Sequence, residues 1–87
     1  MAAVKTTVRY TLTADSCRVA RELLQNYHQD DSGILVPNED FAEICRSLEA
    51  LPGYVSNTVE TETPDSPTEE QTALYANYVW IVMTEAS

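Results

Sequence analysis

The stretch Thr72–Thr84, TALYANYVWIVMT, holds the only tryptophan of the 87-residue chain and two of its five tyrosines. With the period of a strand, one face carries Leu74, Ala76, Tyr78, Trp80 and Val82, and the other Tyr75, Asn77, Val79, Ile81 and Met83. Both faces are apolar. A half-exposed strand alternates apolar with polar residues, so this pattern predicts a central strand covered on both sides. In so short a chain the second cover is expected from a partner, and an uncovered apolar patch marks an association surface. Tyr78, Trp80 and Val82 are the residues that self-association through this strand would use.

Working outward from that stretch, Tyr54–Thr63 has extended character, with Val55 and Val59 on one side and Ser56, Thr58, Glu60 and Glu62 on the other. It is expected to pair with the last strand as a hairpin. The connection Pro64–Gln71 is rich in Pro, Ser, Thr and acids, which predicts a mobile loop. Ser66, Pro67 and Glu69 also match a capping-box start, so a short helical turn leading into Thr72 competes with the loop reading.

Further upstream, Pro37 and Asn38 open a helix with Glu39, Asp40 and Glu43 in its first turns, the sign that suits the positive end of a helix. Its apolar stripe is Phe41, Ile44, Cys45, Leu48 and Leu51, and Pro52-Gly53 stops it. Ile34–Val36 reads as a very short extended piece, and His28–Gly33, HQDDSG, as a loop. Before it, Cys17, Ala20, Leu23, Leu24 and Tyr27 recur at helical spacing, predicting a helix capped by Thr13 and running to about Tyr27. Val4–Thr13 alternates cleanly, with Val4, Thr6, Val8, Tyr10 and Leu12 on one side and Lys5, Thr7, Arg9, Thr11 and Thr13 on the other. That is a strand with one wet face, whose cations suit an edge position.

The order is thus strand, helix, helix, strand, strand. It predicts an α+β fold, a small three-stranded mainly antiparallel sheet with two helices on one face and the last strand in the middle. Length allows one domain spanning residues 1–87. The 44% apolar content is that of a folded domain despite the net charge of -9. Cys17 and Cys45 form no CxxC pair and read as reduced core thiols, which fits a cytoplasmic chain, in the host cytoplasm if phage-encoded. No apolar block has signal-peptide length, and the longest apolar run, Tyr78–Met83, is far short of a membrane span.

Charge is placed unevenly. Lys5, Arg9, Arg18 and Arg21 lie in the first 21 positions, whereas from Glu22 onward there are thirteen acids and one base, Arg46. Such a tract repels nucleic acid and anionic membranes and attracts basic protein surfaces. On a strand, Glu60 and Glu62 form a short carboxylate row about 6.6 Å apart, continued by Asp65, Glu69 and Glu70. Carboxylates at such spacing imitate nucleic-acid phosphates and can occupy a basic groove, and a solvated face is the plain alternative.

Chemistry-bearing motifs are few. His28 is the only histidine, and its neighbours Asp30, Asp31 and Ser32 offer a carboxylate and a hydroxyl at no diagnostic spacing. Asp30 and Asp31 lack the regular ligand series of a calcium loop, and no phosphate-binding glycine loop exists. The four early cations come from a strand face and a helix face and lack interleaved aromatics, so direct nucleic-acid binding is not expected. No cofactor and no metal site are expected.

No motif assigns a family. In length, acidity and lack of catalytic signatures, the chain is similar to small phage and mobile-element inhibitors, including anti-CRISPR proteins and DNA mimics. That similarity of composition implies a non-enzymatic, protein-binding inhibitor that docks on a basic, nucleic-acid-binding surface of a partner. Its contacts would be Glu60, Glu62, Asp65, Glu69 and Glu70, with Asp30, Asp31, Glu39, Asp40 and Glu43 as further acids. The alternative is a self-associating structural or adaptor subunit, a homodimer through the C-terminal strand.

Overall fold

The computed structural model describes residues 3–86 and contains β1 (Lys5–Leu12), α1 (Ala14–Leu23), β2 (Gln29–Asp30), β3 (Gly33–Pro37), α2 (Asn38–Glu49), β4 (Tyr54–Glu62), α3 (Glu69–Asn77) and β5 (Tyr78–Glu85). The strands form one sheet in the order β2-β3-β5-β1-β4. β5 runs parallel to β1 and antiparallel to β3, and β4 runs antiparallel to β1. The three-stranded, mainly antiparallel sheet with two helices is therefore replaced by a five-stranded mixed sheet with three helices.

Three local causes explain the difference. The expected loop at residues 28–33 contains a hairpin: Asp30 Oδ1 accepts from the Ser32 and Gly33 amides at 2.8 and 3.1 Å, closing a tight turn that pairs β2 with β3. Gly33 has φ +142°, and a Cβ there would lie 2.8 Å from the Ile81 carbonyl oxygen, so the turn needs glycine at that position.

The second cause is α3, which takes Thr72–Asn77 out of the expected strand. Thr68 and Gln71 form a reciprocal capping box, with the Gln71 amide donating to Thr68 Oγ1 at 3.1 Å and the Thr68 amide donating to Gln71 Oε1 at 2.9 Å. Ala73, Leu74 and Ala76 favour the helix. The helical turn anticipated from Ser66 exists, but its cap lies two residues later and it continues to Asn77.

The third cause is strand choice. β4 does not form a hairpin with β5; it pairs with β1, so β1 lies inside the sheet and the edges are β2 and β4. The cations on β1's wet side therefore do not guard an edge. α1 ends at Leu23, with Leu24 as its C-cap and the Tyr27 amide bonded to the Leu24 carbonyl at 3.1 Å, earlier than the expected Tyr27. Thr13 caps it as expected, accepting from the Ser16 amide.

β5 is central, as its two apolar faces require. On the inner face, Val8, Tyr10, Leu12, Ile34, Val36, Val79 and Ile81 meet Cys17, Ala20 and Leu24 of the first helical segment and Leu48 of α2 in one buried cluster. Phe41, Ile44 and Cys45 complete the α2 stripe against it, while Leu51 packs there from beyond the helix, which ends at Glu49 and not at the Pro52-Gly53 stop. Val79 and Ile81 alternate with Trp80, which points to the outer face, opposite Thr7 on β1 and Leu35 on β3. Trp80 and Leu35 are nonetheless 2% and 6% exposed. The cover over Trp80 is α3, whose Tyr75 packs on the indole, so the second layer at this end comes from the chain itself.

Candidate functional site

The outer face divides into a covered end and an open end. At the covered end, the Trp80 ring meets Tyr75 of α3 edge-on, with centroids 5.5 Å apart and planes at 76°. Lys5 Nζ lies 4.8 Å from the Trp80 ring centroid. Trp80 Nε1 donates to Asp30 Oδ2 at 3.1 Å and Oδ1 at 3.3 Å. Desolvation pushes the Asp30 carboxyl up, but the bonds from Trp80, Ser32 and Gly33 and the nearby Lys5 cation outweigh it and hold the group below its ordinary value. Asn38 Nδ2 also donates to the Ala76 carbonyl at 2.7 Å, tying the start of α2 to the end of α3.

The open end is a depression of about 440 Å³ whose lining includes Lys5, Thr7, Arg9, Glu60, Glu62 and Val82. The wet faces of β1 and β4 meet here, because Lys5 stands opposite Glu62 and Thr7 opposite Glu60 in the β1–β4 register. Arg9 Nε lies 3.2 Å from Glu60 Oε2, and its Nη1 donates to Thr84 Oγ1 at 3.3 Å. Both side chains of this ion pair are about half exposed, so it contributes at most ~1 kcal/mol. The site is a mixed-charge hollow, with cations interleaved among the carboxylates that the sequence pattern suggests for partner contact.

The candidate acids are thus separated by role. Glu60 and Glu62 share the outer face of β4, as strand spacing requires. Asp65 lies in the exposed connection, and Glu69 and Glu70 occupy the first turn of α3, where the helix dipole favours them. Asp30 is occupied by the hairpin turn and by Trp80, whereas its exposed neighbour Asp31 sits in the turn. Asp40 accepts from the Tyr27 hydroxyl at 3.0 Å, and this bond, with burial, raises the tyrosine's pKa. Of the residues suggested for self-association, Trp80 is enclosed between Tyr75, Lys5 and Asp30, while Tyr78 and Val82 are half-buried.

His28 is exposed at the start of the hairpin, and its carbonyl accepts from the Leu35 amide at 2.8 Å. Arg18 pairs with Asp15 at 3.2 Å within α1, away from Lys5 and Arg9, so the early cations form no single patch. In the core, burial raises the Tyr10 hydroxyl far above its usual value, helped by its contact with Cys45. Burial likewise raises the Cys45 thiol, against the opposing effect of that same contact. Both are protonated packing groups at neutral pH. Among the described residues no group of three or more His, Cys, Asp or Glu side chains could hold a metal ion, and no helix is long and apolar enough to cross a membrane.

Sequence reasoning missed the Trp80–Asp30–Lys5 cluster, because 50 residues separate Asp30 from Trp80. The Thr68–Gln71 spacing, in contrast, was a usable signal for α3. In comparisons with known proteins, the chain matches no family model, no curated protein and no solved structure.

Proposed function

We propose that the chain is a non-enzymatic binding protein that docks on a basic surface of a partner protein, most sharply as an inhibitor of a nucleic-acid-handling protein, the role that phage anti-host and anti-CRISPR proteins play. The observation that supports this is the unequal use of charge by the fold. Every carboxylate except Asp40 is exposed, and most take no part in holding the structure, whereas Lys5, Arg9 and Arg18 are each engaged within the chain. The surface is left strongly negative, which speeds encounter with a basic groove and makes the complex sensitive to salt. Because Arg9 neutralises Glu60, the docking contacts centre on Glu62, Asp65, Glu69 and Glu70.

The immobilised chain is expected to capture a nucleic-acid-binding protein from a bacterial lysate, release it as salt rises, and displace nucleic acid from the purified partner. The triple variant Glu62→Lys, Glu69→Lys, Glu70→Lys should lose that capture. Equal capture by the variant would sink the proposal.

A further inference from the structure

Among the described residues β4 ends the sheet, pairing with β1 on one side and with no strand on the other. The opposite edge, β2, is only two residues long, which leaves little to pair with. β4 is nine residues long and carries no Lys, Arg or Pro to discourage pairing. Its register with β1 slips once, between Thr11 and Leu12, where Ser56 faces Thr11 and Tyr54 faces Leu12. Beyond that bulge, Ser56–Glu62 is a regular run of seven residues centred on Val59. Val59 is on the helix side of the sheet, opposite Val8, yet it is 64% exposed where Val8 is 3% exposed, because the helices stop short of this strand.

We infer that β4 pairs antiparallel with β4 of a second copy of this chain, on a two-fold axis through Val59, joining two five-stranded sheets. Facing residues in an antiparallel pair must share both side and hydrogen-bonding direction, so a two-fold axis passes through a residue. With the axis at Val59, the whole regular run pairs. Val59 meets its own copy, Thr58 faces the partner's Glu60, and Ser56 faces the partner's Glu62. Acids occupy only the C-terminal half of the run, so each carboxylate meets a hydroxyl. An axis at Glu60 would oppose like charges directly, and an axis at Thr58 would run the pairing into the bulge at Val55. Arg9, 3.2 Å from Glu60, offsets the charge nearest the axis.

Each copy carries a net charge of -9, so long-range repulsion opposes the dimer and salt relieves it. This response is opposite in sign to docking on a basic partner, which salt weakens, so either idea can fail without the other. Sedimentation equilibrium of the full chain should show a monomer–dimer equilibrium whose dimer tightens as salt rises. Val59→Lys should weaken it about tenfold or more, equivalent to ~1.4 kcal/mol, although that change lowers the charge repulsion.

The axis itself is read by cross-linking. Val59→Cys should form an intermolecular disulfide on mild oxidation, since facing residues lie ~4.5–5.5 Å apart between Cα atoms, within disulfide range. Thr61→Cys, on the same side but about 13 Å from its own copy, should not. A monomer at millimolar concentration in high salt, or equal cross-linking of the two cysteine variants, would overturn the inference.

Discussion

The two ends of the outer sheet face are built from the same strands and behave differently. At the Trp80 end, α3 lays Tyr75 on the indole, and Asp30 and Lys5 enclose what remains, so a residue outside the main core is as buried as one inside it. At the Arg9 end, Glu60 and Glu62 keep the surface wet, with Lys5 bordering both ends. One helix of nine residues makes the difference. A two-layer α+β fold can thus acquire half of a second core from a short helix fused directly to its central strand. The uncovered half is then available for charge.

Removing the anchors on the two faces of β5 should produce the largest effects. Trp80→Ala should cost about 3–5 kcal/mol and Ile81→Ala about 2–5 kcal/mol, both read from urea denaturation. A loss near 1 kcal/mol for Trp80→Ala alone would make α3 a loose lid rather than a second layer.

Acid should act on the covered end in a milder way. Asp30 is held below its ordinary value in the fold, so its bond to Trp80 contributes above the ordinary carboxylate range and is lost as pH falls through the folded value. Emission from Trp80, the only tryptophan, should stay constant from neutral pH down to the ordinary carboxylate range and change below it. In Asp30→Asn that step should vanish while the far-ultraviolet circular dichroism profile is kept. An unchanged step would assign it to general acid unfolding.

The smallest effect belongs to the open end. Glu60→Gln should change stability by no more than about 0.5–1 kcal/mol, because its partner Arg9 is half exposed and keeps its bond to Thr84. A larger loss would mean that the mixed-charge hollow is structural.

The two edges of the sheet differ in the same way. The β2 edge is short and closed off by the Asp30 turn, whereas β4 is long and open, and on it Val59 remains outside the reach of the helices. Pairing through β4 would leave the Trp80 end untouched. It would also set the acids of two copies on one continuous sheet.

Elements whose signals are local were legible in the residues alone. The α2 stripe from Phe41 to Leu48, the Thr13 cap, the alternation of β1 and the central place of β5 all follow from residue spacing within one segment. The same spacing also located Glu60 and Glu62 on one face, since strand period alone requires that.

The remaining features depend on contacts between distant segments. Residues 72–77 suit a helix or a strand on composition, and the balance was tipped by a cap at Thr68 and by an outer face that needed covering at Trp80. The choice of β1 rather than β5 as the partner of β4 leaves no trace in local spacing, because backbone pairing is nearly sequence-blind and is settled by which faces can be buried together. For the same reason Arg9 and Glu60, 51 residues apart, meet in one hollow.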